Sequence, residues 1–143
     1  MASVERSRVL DADPDVVEEL LTGDVEGLVT AAGYDSVSID GERIEIEQRL
    51  GLATLSLTFR RRDDEDVSLA LEQTAGHFET MWTEYDVQPA GDGTELTART
   101  EFTLGGVAGS VLDETLVRRQ RTTELDAQLD DVERRLAEKA TAE

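Results

Sequence analysis

The chain has 143 residues, 38% of them hydrophobic, the size of one domain (1–143) with a real core. Its 33 acidic and 14 basic residues leave a formal charge of −19, which excludes nucleic acid as a partner. With no cysteine and a single histidine, His77, disulfides, thiolate zinc sites and His-rich metal centres are excluded as well.

The acids are spread from Glu5 to Glu143, and Lys139 is the sole lysine. This distribution reads as a solvating surface suited to a salt-rich cytosol, where the Debye length shrinks to about 3 Å at molar salt. No apolar run is long enough to span a bilayer, and MASVERSRVL lacks the basic-then-apolar layout of a secretory signal. A cytoplasmic protein without stable membrane insertion is expected.

Residues 3 to 10 predict a strand, and Asp13-Pro14 starts a short helix from Pro14 to Leu21. Thr22-Gly23-Asp24 stops it and caps a second short helix to about Ala32, ended by Gly33. The period then changes from 3.6 to 2, and turn signals recur through five or six antiparallel strands. Val37 and Ile39 lie on the first, and Asp40-Gly41 turns the chain into Ile44, Ile46 and Gln48. Ala53, Leu55, Leu57 and Phe59 alternate with Thr54, Ser56 and Thr58, giving one buried and one wet face. The acidic tip at 60–66 lacks the spacing of a calcium loop and reads as a solvated hairpin end. Val67, Leu69, Leu71 and Gln73 form the next inward row. After Gly76 the strand at 77–88 turns His77, Glu79, Met81, Thr83, Tyr85 and Val87 to one face. Residues 89–93 form a loop, and Leu96, Ala98, Thr100 and Phe102 face inward on the last strand.

Gly105, Gly106 and Gly109 release the chain into a helix that is free of Gly and Pro from Ser110 to Glu138, roughly 43 Å long at ~1.5 Å per residue. Val111, Thr115, Arg118, Thr122, Leu125, Leu129, Val132 and Leu136 recur at steps of four and three, with Leu112 and Leu116 beside them. The stripe must lie on something apolar, yet its middle carries Thr115, Arg118 and Thr122. The order of elements predicts an α+β domain: a curved antiparallel sheet of about six to seven strands, two short helices after the first strand, and one long C-terminal helix across the sheet. The space between sheet and helix is the default site.

Three segments resemble the START-like, or SRPBCC, superfamily, whose fold is the helix-grip and which includes the birch-pollen allergen type, polyketide cyclases and coenzyme Q-binding proteins. They are VLDADPDVVEELL (9–21), GHFETMWTEYDVQPAGDGTEL (76–96) and the terminal helix. The chain departs from the pattern at DADP, where Ala-Pro is common, at Val17, where many members have an aromatic, and at Tyr85, often Trp. The resemblance implies a cavity for an apolar or amphipathic small molecule and brings no universal catalytic residue.

The expected walls are Leu55, Leu57, Phe59, Leu69, Leu71, Gln73, Met81, Thr83, Tyr85 and Phe102 from the sheet, with Leu112, Thr115, Arg118 and Thr122 from the helix. Read as inward-facing, Arg118 offers donors for a carboxylate, phosphate or quinone oxygen. The plainer alternative rotates the helix so that Leu112 and Leu116 are buried and Arg118 reaches the rim. No nucleophile–base pair, phosphate loop or dinucleotide fingerprint is present. The expected function is therefore binding or carrying of a small hydrophobic ligand (a lipid, isoprenoid or quinone) without metal, cofactor or catalytic residues. The alternatives are a polyketide cyclase or dehydratase with Arg118 and Tyr85 as polarising groups, and an interaction module with a filled core.

Overall fold

Alternation of apolar and polar residues forms most of the sheet seen in the computed structural model, which describes residues 2–62, 65–104 and 113–142. The strands are β1 (Ala2–Leu10), β2 (Ser36–Asp40), β3 (Arg43–Leu50), β4 (Ala53–Arg62), β5 (Leu69–Ala75), β6 (Phe78–Ala90) and β7 (Gly93–Leu104). They form one antiparallel sheet in the order β1-β7-β6-β5-β4-β3-β2. Helices α1 (Pro14–Gly23) and α2 (Val25–Ala31) follow β1, and α3 (Glu114–Ala142) follows β7. This is the helix-grip arrangement. Register breaks between Thr58 and Phe59 and between Phe78 and Thr80 add the local bends that help a sheet curl round a helix.

Local chemistry accounts for the boundaries. Pro14 opens α1, and the Asp24 carboxylate accepts from Gly27 N at 3.0 Å to cap α2. Asp113 caps α3 by accepting from Leu116 N at 2.7 Å. The cap predicted at Ser110, with Val111, Leu112 and the glycines before them, lies outside the described residues. The first hairpin turns on Gly41-Glu42 rather than Asp40-Gly41, because Asp40 still pairs with Arg43. Strand β6 also outruns its prediction and carries Pro89 in register with Thr94. Proline is tolerated there because β5 accompanies β6 only to Tyr85, leaving β6 beyond it with β7 alone.

The inner face of the sheet is closed by α3, which also packs on β1 and α2. Val117, Leu125, Leu129, Val132 and Leu136 are its buried apolar residues. Arg6 and Arg8 of β1 hold its flank through Asp126 at 2.8 Å, Asp130, and Glu133 at 3.5 Å. Gly93 is required by packing: a Cβ there would stand 2.3 Å from the Leu10 carbonyl oxygen. Among the described residues no helix is long and apolar enough to cross a membrane.

Candidate functional site

Among the described residues, the buried charged side chains gather at one place in an otherwise mostly apolar interior. The inward row of β6 presents Met81, Thr83 and Tyr85, all buried, and the opposing face of α3 presents Val117, Arg121, Glu124 and Gln128. The Arg121 and Glu124 side chains are only 5% and 3% exposed. Arg121 Nη1 donates to Glu124 Oε1 and to the Tyr34 hydroxyl at 2.9 Å, and Nη2 donates to Thr83 Oγ1 at 2.8 Å. Gln120 Nε2 donates to the second Glu124 oxygen at 2.9 Å. The Thr83 hydroxyl donates onward to Thr100 at 3.3 Å, and Thr100 to the Trp82 carbonyl at 2.9 Å.

Beside this cluster, the Tyr85 hydroxyl donates to Gln128 Oε1 at 2.6 Å while Gln128 Nε2 donates to the Leu28 carbonyl at 2.9 Å. Burial pushes the Tyr85 phenol up to about 12, against the pull of Arg121 and of its own hydrogen bond. Tyr34 has its hydroxyl inside and is raised further, by burial first and then by the Glu124 charge. For Arg121, burial alone lowers the guanidinium pKa, but Tyr34 and Glu124 outweigh it and hold the charge in place. Both phenols therefore keep their protons, and Arg121 keeps its charge.

Two small cavities flank Arg121. One, of about 20 Å³, lies among Ile46, Leu55, Leu57, Phe78, Met81 and Val117 on the apolar side, with Tyr34, Gln48, Gln120 and Glu124 on the polar side. The other, of about 10 Å³, lies between Phe59, Leu71, Thr83, Tyr85 and Gln128. Each is the size of a single water. Hollows of about 470 and 430 Å³ lie elsewhere, over mostly exposed residues such as Asp40, Arg43, Arg60, Ser38, Glu45 and Ser56. Those lie on the wetted back of the sheet, without convergent apolar walls, and make poorer ligand sites despite their size.

The predicted sheet residues Leu55, Leu57, Phe59, Leu69, Leu71, Met81, Thr83, Tyr85 and Phe102 are all buried, with the Phe102 ring edge-on to Phe78 at 5.8 Å. Gln73 is half-buried and serves the β5–β6 turn, donating to the Phe78 carbonyl at 2.9 Å. The helix residues are the correction. Thr115 and Arg118 face solvent, and Arg118 is 49% exposed beside Glu114 at 3.8 Å. Thr122 is half-buried, with its hydroxyl donating to the Arg118 carbonyl at 2.8 Å. A stripe stepping by four and three has a 3.5-residue period and drifts by ~20° per heptad round a straight helix. Followed upward from Leu136, it leaves the sheet, and Arg121, Glu124 and Gln128 occupy the inner face. These three were missed because apolar periodicity cannot register a buried polar face. Val117, four residues before Arg121, was the signal that could have found them.

A curved antiparallel sheet gripping a long C-terminal helix is the arrangement of a START-like protein. The chain belongs to the family described as polyketide cyclase / dehydrase and lipid transport, whose model matches residues 1–137. The fold is similar to that of a Thermus thermophilus protein, with a TM-score of 0.73 and 19% identity over 95% of this chain and 97% of that one. It is also similar to the Zhui aromatase/cyclase of a Streptomyces species, with a TM-score of 0.72 and 22% identity over 94% and 95%. A START superfamily protein from Mycobacterium smegmatis gives a TM-score of 0.71 at 10% identity over 95% and 97%. No curated protein sequence matches the chain.

Proposed function

We propose that this chain binds or carries a small amphipathic molecule. Its apolar body lies between β3–β4, Phe78, Met81 and the first turns of α3, and its oxygen-bearing end reaches Arg121. The buried cluster carries this reading: an ion pair inside a core loses several kcal/mol of hydration per ion, so apolar residues of similar size would serve stability as well or better. The family description, which names both cyclisation chemistry and lipid transport, supports a ligand without choosing one. Phenols held protonated and a guanidinium held charged favour hydrogen bonding to a ligand over proton exchange with it.

Entry requires the cleft to widen. The described boundary of the cleft includes the β3–β4 turn, where Gly51 lies beside Leu116 of α3 and Leu52 is fully exposed. One observation favours the second reading, an interior that holds no ligand: both cavities flanking Arg121 are of water size. The test is extraction and mass spectrometry of the protein purified in high salt, followed by rebinding of whatever is recovered. The expected result is an apolar, oxygen-bearing molecule that rebinds to the parent and not to Leu57→Trp, whose indole fills the cleft. No recovered molecule, and no uptake from a panel of isoprenoids, quinones and aromatic polyketides, would leave the filled-core reading standing.

A further inference from the structure

Two buried polar atoms at the cleft have no partner among the described residues: Arg121 Nε and Gln48 Oε1. Both side chains line the same cavity of about 20 Å³. Gln48 stands on the inward row of β3 after Ile44 and Ile46, and its Nε2 donates to the Arg49 carbonyl at 3.1 Å, which leaves the oxygen as the unpartnered atom. The remaining nitrogens of Arg121 are committed to Glu124, Tyr34 and Thr83. The cavity is therefore bordered by one side chain whose N–H needs an acceptor and one whose oxygen needs a donor. A single hydroxyl group satisfies both. A ketone or ether accepts from Arg121 but leaves Gln48 unpaired. A carboxylate does the same and adds negative charge beside Glu124, which already neutralises the guanidinium.

We propose that Arg121 Nε and Gln48 Oε1 form a hydroxyl-binding subsite that selects apolar alcohols and phenols over ketones, ethers and carboxylates. The inference rests on the ligand-binding reading above and specifies the polar end of that ligand. The cavity volume suits one oxygen-sized group, and the apolar wall of Leu55, Leu57, Phe78 and Met81 borders it.

The test is titration calorimetry of the full chain with three probes of one shape: naphthol, its methyl ether and naphthoate. Naphthol is expected to bind about tenfold or more tighter than the ether, and naphthoate weakest, because only the hydroxyl pairs both atoms. Gln48→Met keeps the length of the side chain and removes the acceptor, so it is expected to lower naphthol to the affinity of the ether while leaving the ether unchanged. Equal binding of naphthol and ether to the parent would overturn the subsite and reassign the two atoms to a resident water. A naphthol preference that survives in Gln48→Met would overturn it too. If none of the three probes binds, the inference falls, and the ligand-binding reading is decided separately by the recovery and panel experiment.

Discussion

The Tyr85 hydroxyl meets Gln128 at 2.6 Å, and through the same amide it is coupled to the Leu28 carbonyl at 2.9 Å. One glutamine thereby ties β6, α2 and α3. Gln128→Leu is expected to cost about 2–4 kcal/mol, because the phenol and the carbonyl both remain buried without partners. Adding Tyr85→Phe removes one of the two orphans and should recover part of that loss. Urea denaturation of the two single variants and the double variant measures it, and additive losses would show that the two side chains do not act as a pair.

The two arginines on neighbouring faces of α3 should respond in opposite ways. Arg121→Met leaves Glu124 buried and unpaired, with an expected loss of about 3–5 kcal/mol, and pairing it with Glu124→Gln should restore much of the stability. Arg118→Ala, at a 49% exposed site, is expected to stay within ~0.5 kcal/mol. A large effect at Arg118 with none at Arg121 would contradict the rotation of the helix described here.

That contrast marks how much of the site was legible in the sequence. The strands were readable because Leu55, Leu57 and Phe59 alternate with hydroxyl residues, and the lower half of α3 because Leu125, Leu129, Val132 and Leu136 are apolar and buried. The upper half was not, since its inner face is charged and solvent-facing Arg118 fits the extrapolated stripe as well as Arg121 does. Gln48 was visible as the third member of an inward row, but its unpartnered oxygen depends on Arg121 arriving from a helix distant in the chain.

Alkaline pH should weaken the fold in a defined window. The folded pKa of Tyr85 is pushed up to about 12, above the ordinary 10.0, so the folded state holds a proton that the unfolded chain releases. The associated stability is complete below about pH 10 and is lost as pH rises towards 12, by roughly 3 kcal/mol for this group, while Tyr34 extends the loss to higher pH. Denaturation midpoints across this range should fall more gently in Tyr85→Phe. An identical slope would remove Tyr85 as a cause.

Two glycines predict opposite signs. Gly93→Ala drives a methyl to 2.3 Å from the Leu10 carbonyl oxygen, where backbone must shift, and a loss of about 1–3 kcal/mol is expected. Gly23→Ala at the end of α1 meets nothing within 4 Å and is expected to stabilise by about 0.5–1 kcal/mol. Thermal melts of the two variants decide the matter, and a neutral Gly93→Ala would mean that β1 and β7 can separate there at little cost.

With a formal charge of −19, the melting temperature should rise between about 0.1 M and about 2 M sodium chloride, as screening relieves repulsion among surface carboxylates. Equal melting temperatures in the two buffers would count against a salt-adapted surface.

Among the described residues, β1 has β7 as its one sheet neighbour and α3 against its flank, with Ala2 opposite Phe102 and Arg6 bound to Asp126. During synthesis, β1 leaves the ribosome before the strand and helix that cover it, and its pairing edge stays open until β7 is made. Final closure is thus a late, non-local event, the kind that slows folding and leaves strand edges open to other nascent chains. A chaperone that shields β1 would speed the yield of native protein more than one acting on the β3–β4 hairpin, whose partners are adjacent in sequence and meet as soon as they emerge.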